Sequence, residues 1–92
     1  MTDLNNFSWP EEPVMEAKIR RGLFQIGNEL KRAFTKFPGP QHSAHEGYAV
    51  LLEEVDELWD EIKANLGHTT SAQKEAIQVA AMALRYMLEV TS

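Results

Sequence analysis

Four glutamates, Glu53, Glu54, Glu57 and Glu61, stand close enough along the chain to act together. They belong to a run of seven carboxylates between Glu46 and Glu61 that meets no basic residue before Lys63. Exposed helix faces usually mix signs, because like charges four apart repel by about 0.2–0.5 kcal/mol. Glu54, Glu57 and Glu61 are spaced i, i+3, i+7 and therefore line one edge of a helix. Glu54 falls on the shoulder of that helix's apolar stripe. Carboxylates held so close to a core are costly unless a cation neutralises them, and hard oxygen ligands suit magnesium or manganese. The charge run taken alone also fits a solvated acidic face on an acidic protein.

The helix that carries these acids is legible on both flanks. Tyr48, Leu51, Leu52, Val55, Leu58, Trp59 and Ile62 fall on one side at 100° per residue. Ser43 and Glu46 form a capping box that starts it, and Gly67 follows Leu66 to end it. Upstream, Met15, Ile19, Leu23, Ile26, Leu30, Ala33 and Phe37 recur at helical spacing, which predicts a first helix over 12–36. Gly22 and Gly27 lower its intrinsic stability by about 1 kcal/mol each relative to alanine. They mark either a close helix contact or simply a weak helix. Phe37-Pro38-Gly39-Pro40 stops it and turns the chain. Residues 1–9 read as a loose polar arm that Phe7 and Trp9 can pin to the core, and Ser8-Trp9-Pro10-Glu11 has the form of a helix start.

A third helix is predicted over 71–90, capped by Thr70 with Gln73 or by Ser71. Apolar residues wrap most of its circumference, and Lys74, Glu75, Gln78, Arg85 and Glu89 crowd into the remaining arc. Such a helix needs partners on several sides, more than two short helices supply. The expected architecture is all-α, a three-helix bundle completed by a homodimer or dimer of dimers that buries the Ala- and Met-rich face. The alternative leaves Ala83 and Met87 semi-exposed.

Composition excludes several classes. Ninety-two residues make one small domain, with 43% hydrophobic and 25% charged residues as in folded proteins. A net charge of −5 leaves no broad basic surface for a nucleic-acid backbone. The absence of cysteine excludes disulfides and thiol chemistry and suits a cytoplasmic setting. No apolar run approaches a membrane span, and no signal peptide is visible. His42-x-x-His45-Glu46 lacks the four-residue histidine spacing and third ligand of a zinc protease motif, so these histidines read as loop or substrate contacts.

If the third helix packs antiparallel to the second, as a short connection favours, Glu75 and Gln78 lie beside the end of the second. They then reach Glu57 and Glu61 more easily than Glu53, and a shifted crossing brings in Glu54. Glu75 becomes a third carboxylate from another helix, and Arg85 points the same way.

Glu53-Glu54-Val55-Asp56-Glu57 followed by Glu75-Ala76-Ile77-Gln78 resembles the metal signature of the all-α nucleoside triphosphate pyrophosphatases, the MazG-like superfamily. That signature is two glutamates, two residues and a glutamate, then a helix carrying glutamate, two residues and aspartate. The flanking segments 44–54 and 76–85 are similar to small MazG-like proteins of bacteria and phages, and the resemblance covers about 36–90. It implies magnesium-dependent hydrolysis, with manganese as a substitute, of a nucleoside triphosphate to NMP or dNMP and pyrophosphate. By resemblance, Glu54, Glu57 and Glu75 are metal ligands, with Gln78 in the fourth position. Glu53 is cast as the catalytic acid that orients the attacking water, or as an outer ligand. Lys36 and Arg85 are available to steady the pyrophosphate, as are Lys31 and Arg32, which read equally well as solvated charges. Gln78 stands where the family has aspartate; its carbonyl oxygen can face a cation but brings no charge, which implies weaker metal binding. The other reading is a non-catalytic dimeric interaction or nucleotide-binding module with an acidic surface.

Overall fold

The computed structural model describes residues 12–91, and within them the chain is entirely helical: α1 (Glu12–Lys36), α2 (Ala44–Asn65) and α3 (Thr70–Glu89). The expectations for the arm and for the helix start at Ser8 lie outside the described residues. α3 is the central element. It packs against α2 on one side and α1 on the other, whereas α1 and α2 do not pack on each other. α2 runs antiparallel to α3, with Gly47 near its start against Tyr86 near the end of α3. α1 runs in the same direction as α3, its end reaching Arg85 through the carbonyl of Phe37.

The helix ends follow from side-chain chemistry. Ser43 Oγ accepts the amide of Glu46 at 3.1 Å, and Glu46 reaches back to accept the amide of His42 at 2.8 Å, so the capping box forms with its return bond one residue upstream. At α3 the cap is Thr69, one residue before the expected Thr70, with its Oγ1 accepting the amide of Ala72 at 3.1 Å. α2 closes on Leu66, which takes the left-handed conformation at φ 63°, and Gly67 continues it at φ 78°. The left-handed cap thus starts on a leucine, with the glycine one position later.

The core is small. Leu30, Ala81 and Met82 form its centre, with Ile26, Ala33, Phe34, Val50, Leu51 and Leu84 packed around them. Among the described residues no large side chain is fully buried. α1 contributes its C-terminal half; of its expected apolar face Leu23 stays 63% exposed, and Phe37 is exposed as well. A Cβ on Gly22 or Gly27 would meet nothing within 4 Å, so within this chain neither glycine marks a close contact. Gly47 does: a Cβ there would lie 2.5 Å from the Tyr86 ring, so only glycine lets α2 approach α3 so closely.

Burial within the chain redistributes the exposed apolar surface. Ala81 and Met82 of α3 are covered internally, while Ala76 and Met87 remain exposed. The larger uncovered stripe is on α2, where Tyr48, Leu52, Val55, Trp59 and Ile62 recur four, three, four and three residues apart. No helix among the described residues is long and apolar enough to cross a membrane.

Candidate metal centre

The antiparallel crossing of α2 and α3 brings the two acidic groups together. Glu54 and Glu57 from α2 and Glu75 from α3 each place one carboxylate oxygen within 4.8 Å of the others. Glu54 and Glu75 are partly buried, and Glu57 is exposed. The Gln78 amide lies between the helices, and in the orientation its acceptor neighbours favour its nitrogen donates to Glu75 Oε2 at 2.8 Å and Glu54 Oε2 at 3.0 Å. All four residues expected as ligands therefore meet at one point, with Glu54 rather than Glu61 completing the set.

The electrostatics of this cluster are those of an uncompensated anion. Burial pushes the Glu54 carboxyl up to about 7, helped by the charge of Glu57, its hydrogen bond, and the charges of Glu75 and Glu53. Glu75 is also raised, by burial first and then by its hydrogen bond to Glu57 and the charges of Glu57 and Glu61, against the opposing pull of Lys74. Without a cation the cluster retains a proton near neutrality, and Gln78 offers the neutral donor that makes the remaining crowding tolerable. The donor set fits a hard divalent ion. Glu54, Glu57 and Glu75, with the Gln78 amide oxygen if turned toward them, would be the residues to hold such an ion.

Beside the cluster lies a cleft of about 550 Å³, between α1 and α2 where their backbones stay apart on the two sides of α3. Glu53, Glu54, Glu57 and Gln78 line its acidic part, and Arg32 and Lys36 of α1 face it from the other wall. Glu53 is exposed at the cleft edge, outside the three-carboxylate group. Lys36 is free of ion pairs among the described residues and sits with Nζ 5.5 Å from the Phe37 ring centre. Arg32 is held by Glu29 through bonds of 2.8 and 3.1 Å. Lys31 does not reach the cleft.

Arg85 lines the cleft too, but its principal bonds are internal. It is 4% exposed, with Nη2 donating to the carbonyls of Phe37 and Gly39 at 2.8 Å each. Its Nε donates to Glu89, and the guanidinium stacks 4.5 Å from the Phe34 ring centre. This anchors the turn after α1, a task the sequence reading did not assign. Two other lining residues, Glu29 and Gln41, were also missed. The i, i+3 pairing of Glu29 with Arg32 was readable in the sequence; nothing marked Gln41. His42 and His45 are exposed and join no metal-ligand group among the described residues.

The raised Glu54 value carries a stability consequence with a definite sign. Between the ordinary 4.5 and about 7 the folded chain binds a proton that the unfolded chain releases. That stabilisation is fully present below the lower value and is lost as pH rises through the upper one. In chelator, the melting temperature should fall between about pH 5 and 7.5 and level off above. Glu54→Gln should flatten the slope; a slope left unchanged by the substitution would contradict the assignment.

Comparison with protein-family models, with curated proteins and with solved structures finds no match.

Proposed function

We propose that the chain is a magnesium-dependent nucleoside triphosphate pyrophosphohydrolase, releasing NMP or dNMP and pyrophosphate. The observation that carries the reading is the meeting of Glu54, Glu57, Glu75 and Gln78 on the border of a nucleotide-sized cleft that has Lys36 and Arg32 on its opposite wall. The resemblance of the paired glutamate spacings to the MazG-like signature supports it.

In this reading Glu54, Glu57 and Glu75 hold the cation, with the Gln78 amide turned to present oxygen. Bound there, magnesium or manganese screens the phosphate charges and makes a water acidic enough to attack. Glu53, exposed at the cleft edge, orients that water. Lys36 steadies the leaving pyrophosphate, and Arg32 joins it by exchanging Glu29 for phosphate oxygen. Arg85 contributes by holding the turn that closes the cleft. The carboxylate cluster and the basic wall are complementary to the two ends of a metal-bearing polyphosphate, a ligand with charge of both signs. A cytoplasmic setting, where such nucleotides abound, suits the chain.

The partner of the uncovered α2 stripe is a second copy of this chain. Five apolar residues at alternating spacings of four and three form a seam suited to another helix, and contiguous exposed apolar patches beyond a few hundred Å² mark interfaces. The seam is on α2 with the flank of α3, in place of the Ala81–Met82 surface that the chain buries itself. The exposed pair Leu23 and Phe24 on α1 leaves a second patch for a dimer of dimers.

Two measurements test these statements. Incubation with common nucleoside triphosphates and magnesium should release pyrophosphate, and Glu54→Gln or Glu57→Gln should lower turnover by about a hundredfold or more with the helical fold retained. Full activity in both variants would place the metal elsewhere. Light scattering should give at least twice the chain mass at micromolar concentration, and Val55→Glu with Trp59→Glu should return it to monomer. A monomeric parent chain would contradict the seam.

A further inference from the structure

The basic wall of the cleft holds Arg32 and Lys36, and the first of them is already occupied. Arg32 gives its fork to Glu29, which lines the same wall: Nη2 donates to one carboxylate oxygen at 2.8 Å and Nε to the other at 3.1 Å. A guanidinium grips a phosphate with the same two-point geometry. The Glu29 side chain is 20% exposed against 59% for Arg32, so the carboxylate is the more sheltered of the pair. Arg85 is engaged with two turn carbonyls and Glu89. Lys36 is thus the one lining cation without a hydrogen bond or ion pair among the described residues. The lining as a whole sets five carboxylates against three cations, a formal excess of two negative charges.

A bare polyanion entering this cleft meets like charge and finds Arg32 taken. We propose that Glu29 is the internal anion of the empty cleft: it stands in for phosphate on Arg32 and restricts entry to polyphosphates that carry a divalent cation. The inference rests on the pyrophosphohydrolase reading of the site and adds to it how that site refuses metal-free anions. Any ligand that uses Arg32 must displace Glu29 and then lie beside its freed carboxylate. The repulsion scales with the net charge of the ligand, which a bound cation lowers, so it falls hardest on the bare polyanion. Discrimination by a repelling group needs no added contact to the favoured ligand. Glu29 acts through Arg32 and touches no reacting atom, so it is a positioning residue. The pair is partly solvated and therefore easily exchanged, as an internal competitor must be. Glu16 and Arg20 make a comparable pair on α1, at 2.8 Å, and neither lines the cleft.

The test is calorimetric binding of inorganic tripolyphosphate, in chelator and with magnesium. Glu29→Gln should tighten binding in chelator by about threefold or more and by less with magnesium, so that the dependence on the cation shrinks. In an Arg32→Gln background the gain from Glu29→Gln should be smaller, because no guanidinium is freed. Glu16→Gln should change neither affinity. Unchanged or weaker binding of tripolyphosphate to Glu29→Gln in chelator would overturn the proposal. So would equal gains with and without magnesium, or an undiminished gain in the absence of Arg32. A poorly folded variant cannot imitate a gain in affinity, and the parent chain supplies a check that needs no variant. There the Arg32 Nε–H resonance should shift on saturation with magnesium tripolyphosphate; a resonance left in place would also overturn the proposal. Cation-conditional binding set by Glu29 without pyrophosphate release from nucleoside triphosphates would uphold Glu29 and sink the hydrolase reading. Release with no effect of Glu29→Gln on binding would do the reverse.

Discussion

The structure depends on how three carboxylates are tolerated between two helices of a small bundle. Glu54, Glu57 and Glu75 meet where α2 crosses α3, two of them partly withdrawn from water. Burial and mutual repulsion both penalise the charged forms, and they push the Glu54 carboxyl up to about 7. Gln78 relieves it by donating to two of the three. An aspartate in its place would add a fourth negative charge, raising cation affinity and making the cation-free fold less stable. Glutamine leaves the cluster one negative charge short of what aspartate would bring.

The rest of the chain arranges surroundings for that cluster. α3 is central because its buried Ala81 and Met82 pack against the other helices, and Gly47 against Tyr86 sets the approach of α2. α1 stays off α2, so a cleft remains beside the acids instead of a filled core. Its wall is kept in place by Arg85, a buried charge whose Nη2 donates to two turn carbonyls and whose Nε donates to Glu89. A core built on Leu30, Ala81 and Met82 is slight for such a load, and the exposed α2 stripe is where further burial is to be found.

Much of this was legible in the sequence because helical periodicity and capping are local. The three helices and the Ser43–Glu46 box follow from spacing; antiparallel packing puts Glu75 and Gln78 beside Glu57 and Glu61, and the place of Glu54 in the set comes from the resemblance to the MazG-like signature. What spacing does not give is which faces the chain covers for itself. The Ala- and Met-rich face of α3 was expected at a dimer interface; its Ala81 and Met82 are buried within the chain, packed with Leu30 of α1, while Ala83 is half-buried and Met87 exposed. Arg85 was read as a phosphate ligand because its register is right, but register says nothing about the carbonyls waiting 2.8 Å away. Those carbonyls are 46 and 48 residues distant along the chain. Gln41 carried no local signal, since its place in the notch exists only once Gly47 meets Tyr86.

In the proposed function the carboxylate cluster would hold a divalent cation in place of a proton, and calorimetric titration with magnesium or manganese is the experiment that decides this. Performed near pH 6.5 in buffers of different ionisation enthalpy, saturable binding should release on the order of one proton, because the cation displaces the one held at Glu54. Near pH 8 the release should vanish, and Glu54→Gln should abolish the binding. No saturable binding at millimolar cation, or binding with the same proton count at both pH values and in the variant, would contradict the account.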